Sequence, residues 1–247
     1  MVVSFTSFPA RISNVWQVVE CMLHQTYLPE KIILWLSMEQ FPSEDFVPES
    51  LRCRRSDRFD IRFVEGDIRS HKKYYYVLKE FPESFIFLID DDIYYPTDLI
   101  EKSWKAHLAY PNRVICNYGY QIRYDTNDEL LPYKKWIRSY RMMTEDIFFG
   151  SGGGTLLSSS MLFKDVTNIN LAQKLTPIAD DIWLNAMANL AGIQKILLSN
   201  GMILPTNIKD NIKLASQNRD NDQNDVQLDA VIRYYKQELN INPFSKS

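Results

Sequence analysis

The chain has 247 residues, 45 % of them hydrophobic, which is enough for one large α/β domain or two small ones with a substantial core. It carries 28 Lys and Arg residues against 31 Asp and Glu residues, a formal net charge of −3, so no overall positive field indicates a nucleic-acid partner. The three cysteines are widely spaced and form no CxxC pair, so they predict neither a zinc site nor a disulfide framework.

The sequence also lacks the patterns of membrane insertion and export. No apolar run approaches the ~18 residues that cross a bilayer, and the opening MVVSFTSF is typical of a β-strand rather than of a signal peptide. We therefore expect no transmembrane helix and a reducing, cytoplasmic location. Peripheral association with the inner face of the membrane remains open.

In the first half of the chain, short β-rich runs alternate with helical patterns. This alternation is typical of βαβ units around a mostly parallel sheet. The predicted strands cover residues 2–6, 31–37, 60–66, 85–89 and 113–118, and the predicted helices cover 12–25, 72–81 and 97–110.

The second half is less regular. Residues 121–149 are polar and aromatic without clear periodicity, as expected of a substrate-binding insertion. The later segments are a glycine-rich run over 150–159, an amphipathic helix over 180–190, a strand over 195–199, a polar stretch over 207–225 and a helix over 226–239. No internal repeat or long linker interrupts the chain, so we predict a single α/β domain over 1–247.

The strand FIFLI runs directly into Asp90, Asp91 and Asp92. Ligands of open α/β sheets bind at the carboxyl ends of strands, where these aspartates lie. Two such charges ~5 Å apart at an effective dielectric constant of ~20 repel by about 3 kcal/mol, so a cation or a proton is expected among them. Because no His or Cys is nearby, the expected ion is Mn²⁺ or Mg²⁺. A diphosphate ligand would complete the coordination shell of that ion.

Strand geometry leaves two arrangements of these aspartates open. Either the backbone bends so that Asp90 and Asp92 converge on one ion, or one binds the metal while the other holds a neighbouring group such as a ribose hydroxyl. The alternative to a metal site is that the aspartates cap the helix that begins near Thr97.

A second acidic pair, Asp180 and Asp181, opens the helix predicted over 180–190. Acidic residues are favoured at this end of a helix by its dipole, so capping alone is one interpretation. The other is that the pair lies at the edge of a cleft, because the apolar face of the helix faces the core.

Two further features suggest sites. The run GSGGG is not a phosphate-binding loop of the Walker type, and it suits either a close approach to a sugar ring or a bulged strand or linker. His71 is the one histidine placed to complete a site, and a surface position is expected for it.

Four segments together resemble glycosyltransferases of the GT-A fold, in particular the family-two-like enzymes of bacterial surface-polysaccharide synthesis. They are VVSFTSFPARI, the DxD-type IDDDIYYP, GSGGGTLL and ADDIWL, in an order that spans roughly residues 1–200. The resemblance implies transfer of a sugar, most simply a hexose, from a nucleotide-diphosphate donor to a hydroxyl of a glycan or of a lipid-linked acceptor. Among such donors it favours a UDP-sugar.

The resemblance also implies roles for individual residues. Asp92, with Asp90, would hold Mn²⁺ or Mg²⁺, and Asp90 or Asp91 would hold the ribose or sugar. Asp181 would be the catalytic base, and Asp180 is the second candidate for that role. No carboxylate can be assigned as a covalent nucleophile, which favours inversion of the anomeric configuration. The remaining donor-binding candidates are Thr6, Ser7, Phe8, Arg11, Asp67, Lys72, Lys73, Gly152 and Gly153.

The implied single domain would divide into a nucleotide-sugar-binding half over 1–120 and an acceptor-binding half over 121–247. Two other functions fit parts of the pattern. One is a Mg²⁺-dependent phosphatase of the haloacid-dehalogenase type, although its DxD normally follows the first strand and three strands precede it here. The other is a nucleotide- or glycan-binding module without turnover.

Overall fold

A computed structural model of the chain describes residues 1–139, 142–144, 146–198, 204–205 and 223–246, with the backbone alone for 142–144 and 204–205. The strands are β1 Val2–Thr6, β2 Lys31–Ser37, β3 Phe59–Val64, β4 Ile86–Ile89, β5 Ile93–Tyr94, β6 Val114–Cys116, β7 Gly119–Gln121, β8 Ile137–Arg138, β9 Met142–Thr144, β10 Ile147–Phe149, β11 Gly153–Leu157, β12 Lys195–Leu197 and β13 Leu204–Pro205. The α-helices are α1 Val15–Leu23, α2 Glu49–Arg52, α3 Lys72–Glu80, α4 Leu99–Ala109, α5 Ile169–Leu175, α6 Asp180–Leu190 and α7 Gln223–Leu239.

Eight strands form the central sheet in the order β3-β2-β1-β4-β11-β6-β12-β9. The pairs β3-β2, β2-β1, β1-β4 and β6-β12 are parallel, whereas β11 and β9 run antiparallel to their neighbours. A three-stranded sheet, β10-β7-β8, and a two-stranded one, β13-β5, complete the described strands. The prediction of an α/β domain with a mostly parallel sheet is confirmed.

The sheet is covered on both faces, which explains why its strands are almost continuously apolar. Along β2, Ile32 and Leu34 pack into one core cluster with residues of α1, while Ile33 and Trp35 pack into the other with residues of α3 and α6. Successive side chains of a strand point to opposite faces, so one apolar run supplies both clusters. The parallel direction brings the carboxyl ends of β1 to β4 to one edge.

Several predicted boundaries shift. The segment predicted as one helix over 12–25 is a 3₁₀ turn, Ile12–Asn14, followed by α1, and the last helix already includes Gln223, three residues before its predicted start. The region over 121–149 contains short strands of two or three residues, too short to give a periodic pattern. Helices α2 and α5 were not predicted. Most of the polar stretch over 207–225 lies outside the described residues.

The run GSGGG forms a turn that leads into β11, and the bulged-strand interpretation describes its geometry. The register of β11 against β4 shifts between Gly153 and Thr155. Gly154, between them, has φ +90°, a conformation that residues with a Cβ rarely adopt. The turn therefore brings backbone close to the end of β4.

Within the described part of the chain, no helix is long and apolar enough to span a membrane.

Candidate active site

The chain turns sharply at Asp90, where β4 ends. The Asp90 amide donates to the Gly152 carbonyl at 3.1 Å and to the Tyr95 hydroxyl at 2.8 Å, and that hydroxyl in turn donates to the Gly152 carbonyl. These bonds fix the strand end against the glycine turn before β11. The Asp90 carboxylate accepts from the Lys73 ammonium at 2.8 Å.

Asp91 points inward and is held by the loop that follows β1. Its carboxylate, 5 % exposed, accepts hydrogen bonds from the Ser7 hydroxyl at 2.5 Å and from the Arg11 guanidinium at 2.8 Å. Burial raises the pKa of Asp91, and the contacts with Arg11 and Ser7 offset only part of that rise. Asp91 therefore anchors the β1 loop to the strand end.

Asp92 shares the Arg11 guanidinium, which lies 2.9 Å from its Oδ2, but a third of its side chain is exposed. Burial and the charges of Asp90 and Asp91 raise the pKa of Asp92 to about 6. Repulsion among the three carboxylates thus persists despite Arg11.

Lys73, from the first turn of α3, is the second cation of this site. Its ammonium is buried and lies 2.8 Å from Asp90 Oδ1 and 3.1 Å from Asp180 Oδ2. Burial alone lowers the pKa of Lys73, but the charges of Asp180 and Asp90 outweigh it and raise that pKa. One ammonium therefore joins the aspartates after β4 to the acidic pair of α6.

The acidic pair is positioned by Ser151. The Ser151 hydroxyl donates to Asp180 Oδ2 at 2.8 Å, and its backbone N–H donates to Asp181 Oδ1 at 2.8 Å. Burial opposes ionisation of Asp180, but Lys73 outweighs it and lowers the pKa of Asp180. Burial and the Asp180 charge raise the pKa of Asp181 to about 7. Two adjacent aspartates thus differ widely in proton affinity.

Gly152 and Gly153 are required for this close approach. A Cβ on Gly152 would lie 1.8 Å from the carboxylate carbon of Asp90, and one on Gly153 would lie 2.2 Å from Cβ of Tyr118. The glycines give Asp90 and Tyr118 their places beside the turn.

The other predicted donor-binding residues are divided between two places. Asp67 accepts from Gln40 at 2.9 Å and pairs with Lys72, so the neighbouring lysines 72 and 73 belong to different clusters. Thr6 donates to the Trp35 carbonyl at 2.7 Å at the end of β1. Phe8 lies under the Arg11 guanidinium, 5.2 Å from it, beside Asp91.

Sequence reasoning missed Ser151 and Tyr95 and misplaced His71. His71 is fully buried, not at the surface: its Nε2 donates to the Thr176 carbonyl at 2.7 Å, and Nδ1 accepts from the Tyr74 hydroxyl at 2.8 Å. Burial lowers the pKa of His71. The signal for Ser151 was its position in a glycine run, whereas nothing near His71 in sequence indicates its burial.

The donor set at the end of β4 suits a divalent cation. Among the described residues, no group of three or more His, Cys, Asp and Glu side chains is arranged to hold a metal. Mg²⁺, however, is usually held by one or two carboxylates with phosphates and water. The Asp90 and Asp92 side chains are 41 % and 33 % exposed. Within the described part of the chain, the ion pairs of Asp90, Asp91, Asp92 and Asp180 are made with Arg11 and Lys73.

Comparison with solved structures identifies a shared fold. Residues 1–349 of S. aureus TarS in complex with UDP-GlcNAc match with a TM-score of 0.56 and 8 % identity, over 98 % of this chain and 73 % of that one. The TarS structure described without that ligand matches with a TM-score of 0.52 and 10 % identity, over 95 % and 71 %. No protein-family model and no curated protein matches the sequence. The predicted GT-A-type fold is thereby confirmed, as a fold.

Proposed function

We propose that this chain is a glycosyltransferase that moves a sugar from a nucleotide-diphosphate donor to a hydroxyl acceptor. The observation that carries the proposal is the Lys73 bridge, which places the aspartates after β4 and the acidic pair of α6 around one buried ammonium. Donor-binding carboxylates and a candidate base therefore meet at the ligand-binding edge of the sheet. The shared fold with TarS, crystallised with UDP-GlcNAc, favours a UDP-sugar.

The donor lies, in this proposal, across the carboxyl ends of β1 to β4. Asp90 and Asp92 hold Mn²⁺ or Mg²⁺, which when bound offsets the charge of the diphosphate leaving group. Asp67 and Lys72 lie beyond the end of β3, where the nucleobase of the donor is expected. The loop after β1 lines the nucleotide with Thr6, Ser7, Phe8 and Arg11. Residues 1–120 thus supply most donor contacts.

Asp181 acts as the general base. Its raised pKa, about 7, lets it take the acceptor proton near neutral pH. As the acceptor oxygen forms its bond to the anomeric carbon, the bond from that carbon to the diphosphate oxygen breaks and its electron pair leaves with the diphosphate. The proton passes to Asp181. A single displacement of this kind inverts the anomeric configuration.

The second half of the chain, residues 121–247, supplies the acceptor side in this proposal. Gly152, in the turn before β11, and Gly153, the first residue of β11, carry no side chain, which suits a sugar ring next to Asp90. The acceptor class we propose is a glycan or lipid-linked saccharide of polysaccharide synthesis, and the transferred sugar is a hexose.

A thermal-shift panel of nucleoside diphosphates and UDP-sugars, with and without Mn²⁺, tests the donor site. A ligand that binds the native state raises the melting temperature by mass action, so we expect a Mn²⁺-dependent rise with at least one of them. Asp92→Asn should abolish the Mn²⁺ dependence. Asp98→Asn is the matched control, because Asp98, just before α4, pairs with Lys102 of that helix and is similarly exposed.

Turnover separates an enzyme from a binding module. Slow hydrolysis of the bound donor should occur in the wild type and disappear in Asp181→Asn, while nucleotide binding persists. If none of the nucleotides tested raises the melting temperature, the donor proposal is wrong. Stabilisation without Mn²⁺ dependence would contradict the metal role alone.

A further inference from the structure

Ser151 is the contact common to Lys73, Asp180 and Asp181, and sequence analysis gave it no role. Its side chain is fully buried. The Lys73 ammonium donates to the Ser151 hydroxyl at 3.0 Å, and the hydroxyl lies 2.8 Å from Asp180 Oδ2. An ammonium carries no acceptor, so the hydroxyl proton has one available direction, toward Asp180.

The two aspartates of the pair receive different hydrogen-bond donors. Asp180 Oδ2 receives both the Ser151 hydroxyl and the Lys73 ammonium, at 2.8 and 3.1 Å. Asp181 receives only the backbone N–H of Ser151, on Oδ1. The hydrogen bond described for the Asp181 carboxylate ends on Oδ1, and the residue is half-buried, whereas Asp180 is buried. Asp180 is thus enclosed by side-chain donors, and Asp181 is held by a backbone N–H.

We propose that Ser151 is a positioning residue that divides the acidic pair into an enclosed anion, Asp180, and a proton acceptor, Asp181. The inference rests on the proposed function for its catalytic consequence. The hydroxyl and the backbone N–H of one residue hold the two carboxylates, so the orientation of Asp181 is tied to the ionisation of Asp180. Ser151 itself touches no reacting atom.

The charged and titratable groups around the pair come from three elements. Lys73 and Tyr74 face it from α3, the neutral His71 from the turn before α3, and Asp90 from the end of β4. In Ser151→Ala the backbone bond to Asp181 is kept, but Asp180 loses the hydrogen bond from the Ser151 hydroxyl. The proton affinities of the two aspartates should therefore move toward each other.

Carboxyl ¹³C NMR of aspartate-labelled protein tests this division without turnover. In the wild type we expect one carboxyl of the pair to stay ionised across the neutral range while the other, identified by its loss in Asp181→Asn, titrates near neutrality. In Ser151→Ala the two titrations should move closer together, while Lys73 still keeps Asp180 the more acidic of the pair. Ser103→Ala is the control, because Ser103 is a second fully buried serine that accepts from Asn117 and donates to the Leu99 carbonyl.

Kinetics then tests the catalytic consequence. Ser151→Ala should lower kcat about tenfold or more with the donor KM little changed and should shift the acid limb of the pH profile, while Ser103→Ala changes neither. Ser151→Thr, which keeps the hydroxyl, should restore part of kcat. Unchanged titrations in Ser151→Ala would overturn the inference. Expected titrations in a protein that binds no nucleotide sugar would overturn the proposed function and leave the division of the pair standing.

Discussion

Replacing Lys73 with methionine removes the ammonium that joins the two acidic groups while keeping most of the side-chain volume. At 3.1 Å and an effective dielectric constant of ~20, its attraction to buried Asp180 is roughly 5 kcal/mol before desolvation. The pair with Asp90, whose side chain is 41 % exposed, is screened by solvent and contributes less. Breaking a buried pair on one side costs about 3–5 kcal/mol, which is the destabilisation we expect at pH 8.

The cost should depend on pH in a defined direction. In the wild type the folded-state pKa of Asp180 is lowered, so its ionisation contributes stability above the unfolded pKa and loses that contribution as pH falls. In Lys73→Met, burial without the ammonium raises the pKa of Asp180. Lowering the pH to 5 therefore protonates Asp180 in the variant and should reduce the difference from the wild type.

Urea unfolding at pH 8 and pH 5, followed by tryptophan fluorescence, measures both effects. Lys72→Met is the matched control: Lys72 is equally buried, but its carboxylate partner, Asp67, is more exposed than Asp180, so we expect about 2 kcal/mol. Adding Asp180→Asn to Lys73→Met should recover part of the loss. A loss below about 1 kcal/mol in Lys73→Met, or equal losses in the two lysine variants at both pH values, would refute the reasoning.

Two further predictions concern Asp181 and Gly152. In its proposed role as the base, Asp181 must be ionised, so transfer should rise with pH through about 7 in a rate profile. The raised folded-state pKa of Asp181 also means that its contribution to stability is present below the unfolded pKa and lost as pH rises through about 7, which denaturation at pH 5 and 8 checks. A rate that falls with pH across this range would contradict the base assignment. Gly152→Ala should displace the Asp90 carboxylate and abolish Mn²⁺-dependent nucleotide binding in calorimetry, whereas Gly192→Ala, at φ +67° in open space, should cost about 1–2 kcal/mol of stability and leave binding intact. Tight binding by Gly152→Ala would show that Asp90 is dispensable.

The central strands were predictable because each side of the sheet is buried. β1 and β2 have the predicted bounds, since continuous apolar runs flanked by polar residues leave little choice. Helix α6 also has its predicted bounds, from Asp180 to Leu190. By contrast, the seven residues of α5 are too few for a clear pattern, so that helix was missed.

Sequence reasoning named both the aspartates and the cations Arg11 and Lys73 as site candidates, but it did not predict the ion pairs between them. Strand ends locate Asp90 to Asp92, because parallel strands bring their carboxyl ends to one edge. The expected positive group is partly the chain's own: Lys73 is 17 residues from Asp90 in sequence, and Arg11 is 80 residues from Asp91. Such long-range pairs depend on tertiary packing, which local residue patterns do not encode. Burial of His71 against Thr176 is undetectable for the same reason.

Strand β11 has a consequence for how this protein can be divided. It comes from the second half of the chain yet lies between β4 and β6, two strands of the first half. A fragment that ended at residue 120 would leave the facing edges of β4 and β6 without their common partner. The Asp90 amide would also lose its hydrogen bond to the Gly152 carbonyl. Exposed strand edges of this kind promote aggregation. The proposed donor and acceptor regions should therefore be exchangeable between related proteins as loops on an intact sheet, not as separately folded halves.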